Sequence, residues 1–197
     1  MRRPRGDRLL VGAAALLVTA GLIVVAVTAA GWLDKVHAAG QAQARLAARW
    51  ASGAGVARLH LPTLRLTLVV VEGSGPTQLA TGPGHITGTS AAGGPNTGIA
   101  AHRYPGLFWD LDRLRDGDPV LLETRTEWYA YRVTRSLVVD PAAGDVLTTA
   151  GPLPILTLVT CEPKLSTARR LIRQAELVRR QPRSGELPAE LVGHTGS

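Results

Sequence analysis

The segment ILTLVTC, residues 155–161, decides how this chain is read. It is aliphatic and β-branched, as strands are. A period of two puts Ile155, Thr157, Val159 and Cys161 on one face. Glu162-Pro163 follows, and proline cannot continue an interior ladder. Cys161 is therefore expected at a strand's end, where a rigid sheet gives way to a loop. Reactive groups favour such ends because a rigid element aims them at an accessible site, whereas a packing thiol more often sits mid-strand.

The sequence on either side extends the strand reading. RLIRQAELV (170–178) is a second strand, reached across the eight residues 162–169, and is expected to be the antiparallel neighbour of the cysteine strand. Upstream, RLHLP (58–62) is a short strand ended by Pro62. Leu64, Leu66, Leu68 and Val70 then alternate along one face before EGSG (72–75) turns the chain. Residues 119–125 and 128–139 read as a hairpin pair. GPGHITGTSAAGGPNTG (82–98) is turn-rich and reads as a long loop, and GIAAH (98–102) as a short buried strand. Phe108, Leu111 and Leu114, three apart, predict a short helix that ends at the Asp116-Gly117 turn. Six to eight strands with one or two short helices predict a mainly β domain, closed or nearly closed into a barrel. Residues 182–197, polar with Pro and Gly, are expected to form a flexible tail.

The N-terminal third has a different character. Leu9 to Leu33 runs 25 residues without a charge. At about 1.5 Å per residue this exceeds a hydrocarbon core of about 30 Å. Arg2, Arg3, Arg5 and Arg8 precede it, Asp34 and Lys35 cancel after it, and Trp32 lies at the far end. The positive-inside rule then makes 1–8 a cytoplasmic basic tail and 9–33 a single-pass anchor, with everything beyond outside the cell membrane. A cleaved signal peptide would need an apolar region of only about 7–15 residues. Residues 34–55, Ala-, Gln- and Arg-rich until Gly53 and Gly55, are expected to be a stalk, and 56–181 the folded domain.

Composition narrows the function. The net charge of +7 owes +3 to the first eight residues, and the remainder is spread out with no arginine–aromatic stretch, so no nucleic-acid partner is expected. Only 4% of residues are aromatic, so the core must be aliphatic. Cys161 is the one cysteine and cannot form an internal disulfide; it is either a small buried hydrophobe or a reactive thiol. A thiol nucleophile needs a base or cationic partner. His37 falls in the stalk, His194 in the tail and His60 in a short strand. His85 and His102 remain, His102 at an element's end and His85 in a glycine-rich loop. Acyl transfer also needs donors for an oxyanion, and Arg169 and Arg170 open the strand after the cysteine. Each of these residues alone is more commonly surface or loop furniture; their order along the chain is what makes them candidates. No Cys/His cluster has metal-ligand spacing, so neither a metal nor a cofactor is expected.

LTLVTC (156–161), followed nine residues after the cysteine by RLIRQAEL (170–177), resembles the sortase signature, a TLxTC strand followed by a catalytic arginine opening the next strand. GIAAHRYPGLFWDLDRLRDGD (98–118) resembles the family's histidine segment, A-G-H-R followed by a Phe, a Leu-rich helix and a Gly-Asp turn. GPGHITGTSAAGGPNTG (82–98) resembles the loop before it, and ARLHLPTLRLTLVVVEG (57–73) the opening strand pair. The likeness covers roughly residues 56–178 in order and spacing. The short Cys-to-Arg spacing and the lack of a C-terminal span look most like class E, with class D second. Ala101 stands where the family usually has Gly, and Arg169 precedes Arg170.

The resemblance implies a closed eight-stranded barrel and a cysteine transpeptidase. Cys161 would be the nucleophile, His102 the acid and base, and Arg170 the oxyanion partner. Thr160 would supply a hydroxyl near the site, and His85 would support substrate fit or loop order. The implied partners are exported proteins with an LPxTG-like or LAxTG-like sorting motif, and an amine from a peptidoglycan precursor or a pilin. The alternative is a sortase-like barrel without catalysis, used as an envelope binding or assembly module; the presence of all three candidates argues against it. An L,D-transpeptidase-type enzyme would want an HGC-type segment, which LVTC lacks.

Overall fold

The computed structural model describes residues 5–148 and 152–192. The chain divides into two units, one up to His37 and one from Ala38 onward. Helix α1, Arg5–Ala48, begins in the first. Leu16, Leu17, Leu22, Val24 and Val27 are 62–76% exposed on all its sides. A helix apolar all round suits a lipid surrounding better than a barrel face. The Thr19 and Thr28 hydroxyls donate to carbonyls one turn back, so neither is left unpaired on that apolar surface. Among the described residues this is the one helix long and apolar enough to cross a membrane.

The expected stalk is a continuation of α1, because Ala, Gln and Arg are strong helix formers and Gly40 is the single weak position among them before Ala48. A 3₁₀ turn, Trp50–Ser52, and Gly53 at φ 102° end it. Residues 38–48 are fastened to the folded domain. Ala39 is buried in the main core. The Gln43 amide donates to Val69 O and Thr81 O and accepts from Val69 N.

Eight strands follow: β1 Ala57–Leu61, β2 Leu66–Glu72, β3 Gly84–His85, β4 Asn96–Ala100, β5 Pro119–Glu123, β6 Glu127–Val139, β7 Ile155–Glu162 and β8 Arg169–Pro182. They close into a barrel in the order β1-β2-β3-β4-β7-β8-β6-β5, with β5 back against β1. Only β2–β3 and β4–β7 run parallel. Because β3 is two residues long, it leaves Val69 of β2 without a strand partner on that side, and Gln43 takes the partner's place. The interior is aliphatic, as the composition requires, with Phe108, Tyr129 and Tyr131 the aromatic exceptions in the main core.

Four connections differ from expectation. Phe108, Leu111 and Leu114 are all buried, but the predicted helix is a single 3₁₀ turn, Leu111–Arg113. A spacing of three matches the three-residue 3₁₀ repeat, and Gly106 at φ 80° keeps any helix from beginning before residue 107. The 82–98 loop contains β3 and the first residues of β4. Two short helices, α2 Pro76–Leu79 and α3 Asp145–Thr148, were not legible from periodicity. At Gly98 a Cβ would lie 3.0–3.2 Å from Thr89, Ile86 and Leu147, so glycine lets the 86–89 loop and α3 close over β4.

The expected flexible tail from 182 is docked as far as it is described; 193–197 lies outside the described residues. Helix α4, Ala189–Val192, sets Leu191 on Leu121, Trp128 and Ala130. Arg183 N donates to Thr126 O at 2.8 Å, and its Nε to Glu123 at 2.7 Å. Glu123, 2% exposed, also meets His60 at 3.1 Å and Arg58 at 3.3 Å. Burial pushes its carboxyl up, but the bonds from His60 and Arg183 and the charge of Arg58 outweigh burial and hold it at about 2. A carboxyl lower in the folded state than in the unfolded one adds stability above its unfolded value and loses it as pH falls through the folded one. The advantage of the native chain over Glu123→Gln should thus be full near neutrality. It should vanish between about pH 4.5 and pH 2, a loss of about 3 kcal/mol. Urea unfolding across that window checks this; an equal advantage at both ends contradicts it.

Candidate active site

Leu156, Leu158 and Thr160 of β7 turn into the barrel, and the alternate residues Thr157, Val159 and Cys161 turn out. Thr157 is roofed over: its hydroxyl donates to Asn96 Oδ1 at 2.8 Å, and Asn96 and Gln174 both donate to Val146 O in α3. From Val159 on, the outward residues are half-buried, so the outer face opens towards Cys161.

Three neighbouring strands converge there. β4 runs parallel to β7 from Asn96↔Ile155 to Ala100↔Val159. Two bonds carry the association one residue past the strand: Ala101 N donates to Val159 O at 3.1 Å, and Thr160 Oγ1 donates to Ala101 O at 2.8 Å. His102 is the residue that follows Ala101. On the other side β8 is antiparallel, with Cys161↔Arg170 and Glu162↔Arg169 as register pairs. Directly paired residues share a face, so Arg170 lies on the Cys161 side and Arg169 on the other. Arg169 is exposed and donates to Val138 O.

The free Cys161 thiol is half-buried. The His102 ring stacks on Tyr104, centroids 4.8 Å apart and 21° from parallel, and the His102 carbonyl accepts from Phe108 N at 3.3 Å. Tyr104 was not anticipated; it lies two residues after the histidine, but stacking cannot be read from spacing. The Arg170 guanidinium donates to Thr167 O and Arg169 O at 3.0 and 3.1 Å. Both are exposed contacts at the mouth of the β7–β8 loop, which water can replace. Beneath the site Arg173 is nearly buried and donates to Leu114 O and Asp112 O. Burial lowers its guanidinium from the usual value, with Asp112 opposing.

Two further sequence candidates, Thr160 and His85, have other partners. Thr160 faces the interior, 2% exposed, and its hydroxyl is engaged by Ala101; it supports the His102 segment instead of presenting a hydroxyl beside the thiol. His85 pairs with Ile99 in register, level with Leu158, and is not brought to Cys161. Its Nδ1 meets the Glu72 carboxylate at 3.0 Å, and its Nε2 meets Ser90 O and Thr89 Oγ1. It organises the 86–95 loop and, with Glu72 and Ile99, lines a cavity of about 290 Å³.

A closed eight-stranded barrel with a cysteine ending one strand, a histidine just past its parallel neighbour and an arginine across its antiparallel one defines a class. A sortase-domain family model matches residues 59–178, and the chain belongs to the sortase family, whose members are cysteine transpeptidases. Within that family the likeness is to class E. Sortase SrtE1 of Streptomyces coelicolor is 31% identical over 209 residues, which cover 90% of this chain; the chain spans 59% of that relative's length. The crystal structure of a Streptomyces coelicolor sortase with a tripeptide in its active site superposes with a TM-score of 0.65 at 30% identity, covering 70% of this chain and 96% of the other. Sortase E from Streptomyces avermitilis gives 0.61 at 33% identity with the same coverage.

Proposed function

We propose that this chain is a membrane-anchored sortase that cleaves a Thr-Gly bond in a C-terminal sorting motif of exported proteins and passes the acyl group to an amine. One observation supports the reading: Cys161 and Arg170 are register partners on β7 and β8, and His102 directly follows Ala101, which is bonded to Val159 and Thr160 of β7. The Cys161 thiolate attacks the threonine carbonyl. Arg170 leaves the Thr167 carbonyl to meet the oxyanion. His102 gives a proton to the glycine nitrogen as the C–N bond breaks, leaving a thioester on Cys161. The incoming amine attacks that thioester, its proton passes to His102, and the thiolate departs. The substrate carries an LPxTG-like or LAxTG-like motif, and the amine belongs to a peptidoglycan precursor or a pilin. The uncharged run 9–33 after four arginines supports an anchor with the N-terminus inside and the barrel outside.

The arginine assignment has a sharp test. A guanidinium presents a planar fork of donors that can hold an oxyanion and a neighbouring carbonyl together, whereas an ammonium is a compact point donor. Removing one oxyanion donor costs about 10²–10³-fold in rate. Arg170→Ala and Arg170→Lys should both slow single-turnover acylation of Cys161 by about that much. Arg169→Ala should stay within about three-fold of the native chain, as an exposed substitution does. A dead Arg169→Ala beside an active Arg170→Ala would exchange the two roles.

A further inference from the structure

We propose that Arg103 is a positioning residue that locks the His102 turn to the end of the Cys161 strand; the proposal rests on the catalytic reading above. Its side chain is 4% exposed, and each guanidinium nitrogen is engaged. Nη1 donates to the carbonyl of Cys161 at 3.0 Å and to the Glu162 carboxylate. Nε donates to Trp109 O at 3.0 Å, and Nη2 pairs with Asp112 Oδ1 at 3.0 Å. These acceptors lie on three stretches of chain: the end of β7, the turn after His102, and the 3₁₀ turn Leu111–Arg113. His102 and Arg103 share a peptide bond. The bond to the Cys161 carbonyl therefore ties together the two backbone segments that carry the imidazole and the thiol.

The charges around Arg103 suit alignment better than stability. Glu162 and Asp112 neutralise it, Lys164 holds Asp110 at 3.4 Å and Asp112 at 3.7 Å from the rim, and Arg173 braces the Asp112 carbonyl from below. Buried ion pairs often do no better than break even against apolar packing, and their best-attested use is to fix one arrangement among several. A planar fork with five N–H donors can bind these divergent acceptors together, and a lysine ammonium cannot. With its nitrogens committed, Arg103 acts through His102 and Cys161 and not on substrate. A misplacement of about 1 Å in a catalytic pair costs about 10²-fold.

The test uses the full chain in detergent micelles, with Arg103→Lys and Glu162→Gln beside the native protein. Two readouts are needed: steady-state cleavage of a sorting-motif peptide, and amide hydrogen exchange. Arg103→Lys should lower kcat about 10²-fold with KM within about two-fold, the split expected when alignment and not binding is lost. Glu162→Gln keeps the bond to the Cys161 carbonyl and should show the same split at about ten-fold. Exchange of the 101–110 and 161–164 amides should quicken at least about ten-fold in Arg103→Lys, with 128–133 in β6 unchanged. Unchanged exchange, a kcat within about three-fold, or a loss confined to KM would each overturn the proposal. If Arg103→Lys does not fold, Glu162→Gln decides by the same criteria. If the native chain cleaves no peptide, the catalytic reading fails, and exchange alone still decides whether Arg103 joins the two segments.

Discussion

Cys161→Ala is expected to abolish peptide cleavage and transfer while leaving the barrel folded. The reaction requires a covalent acyl carrier, and the chain has no second thiol to take over. Removing one sulfur from a half-buried site at a strand end leaves little cavity, and the strand's core contacts come from Leu156 and Leu158, which the substitution does not touch. The loss should therefore be complete in rate and slight in stability, well under the 2–5 kcal/mol or so typical of a large-to-Ala core truncation. Parallel turnover and thermal unfolding measurements on the full chain check both halves. A folded Cys161→Ala protein that still turns over substrate sinks the enzyme assignment.

His102→Ala is the second large effect. A general acid contributes about 10²–10⁴-fold, and here the same imidazole must protonate the departing amine and deprotonate the incoming one. Both steps fail together, so kcat/KM should fall by at least about 10²-fold. His85→Ala is the control. It removes the bonds to Glu72, Thr89 and Ser90 and loosens the 86–95 loop, but it leaves the thiol and the imidazole of His102 in place. Its cost should be much smaller and should appear mainly in KM. Equal losses, or a larger one for His85→Ala, would reverse the assignment.

The contrast between these histidines marks what the sequence made legible. Local patterns were readable: the period of two in 155–161, the stop at Pro163, and the alternation that gives β2. These follow from the strand's own geometry and need no knowledge of neighbours. The position of His102 at an element's end was readable too. Partnership across the barrel was not. That Thr160 turns inward and bonds Ala101 depends on which face of β7 meets the core, and both faces of that strand are apolar or hydroxylated. The preference for Arg170 over Arg169 needed a strand register, which a sequence gives only by spacing. The docking of the C-terminal segment was hidden for another reason. Its anchors, Arg183 on Glu123 and Leu191 on Trp128, are single residues in a polar stretch whose partners lie some sixty residues away. Arg103 stood in plain view beside the histidine, but four acceptors on three segments have no signature in one dimension.

The central claim is that Cys161 carries an acyl group taken from a sorting motif. The most direct measurement is the intact mass of the full chain, quenched with acid after incubation with a library of xPxTG and xAxTG peptides and no added amine. The account predicts a mass increase equal to the peptide up to and including its threonine, located on Cys161, discharged by an added amine and absent from Cys161→Ala. Failure of every peptide to produce that adduct on a folded chain, or its appearance on any residue other than Cys161, would contradict the account.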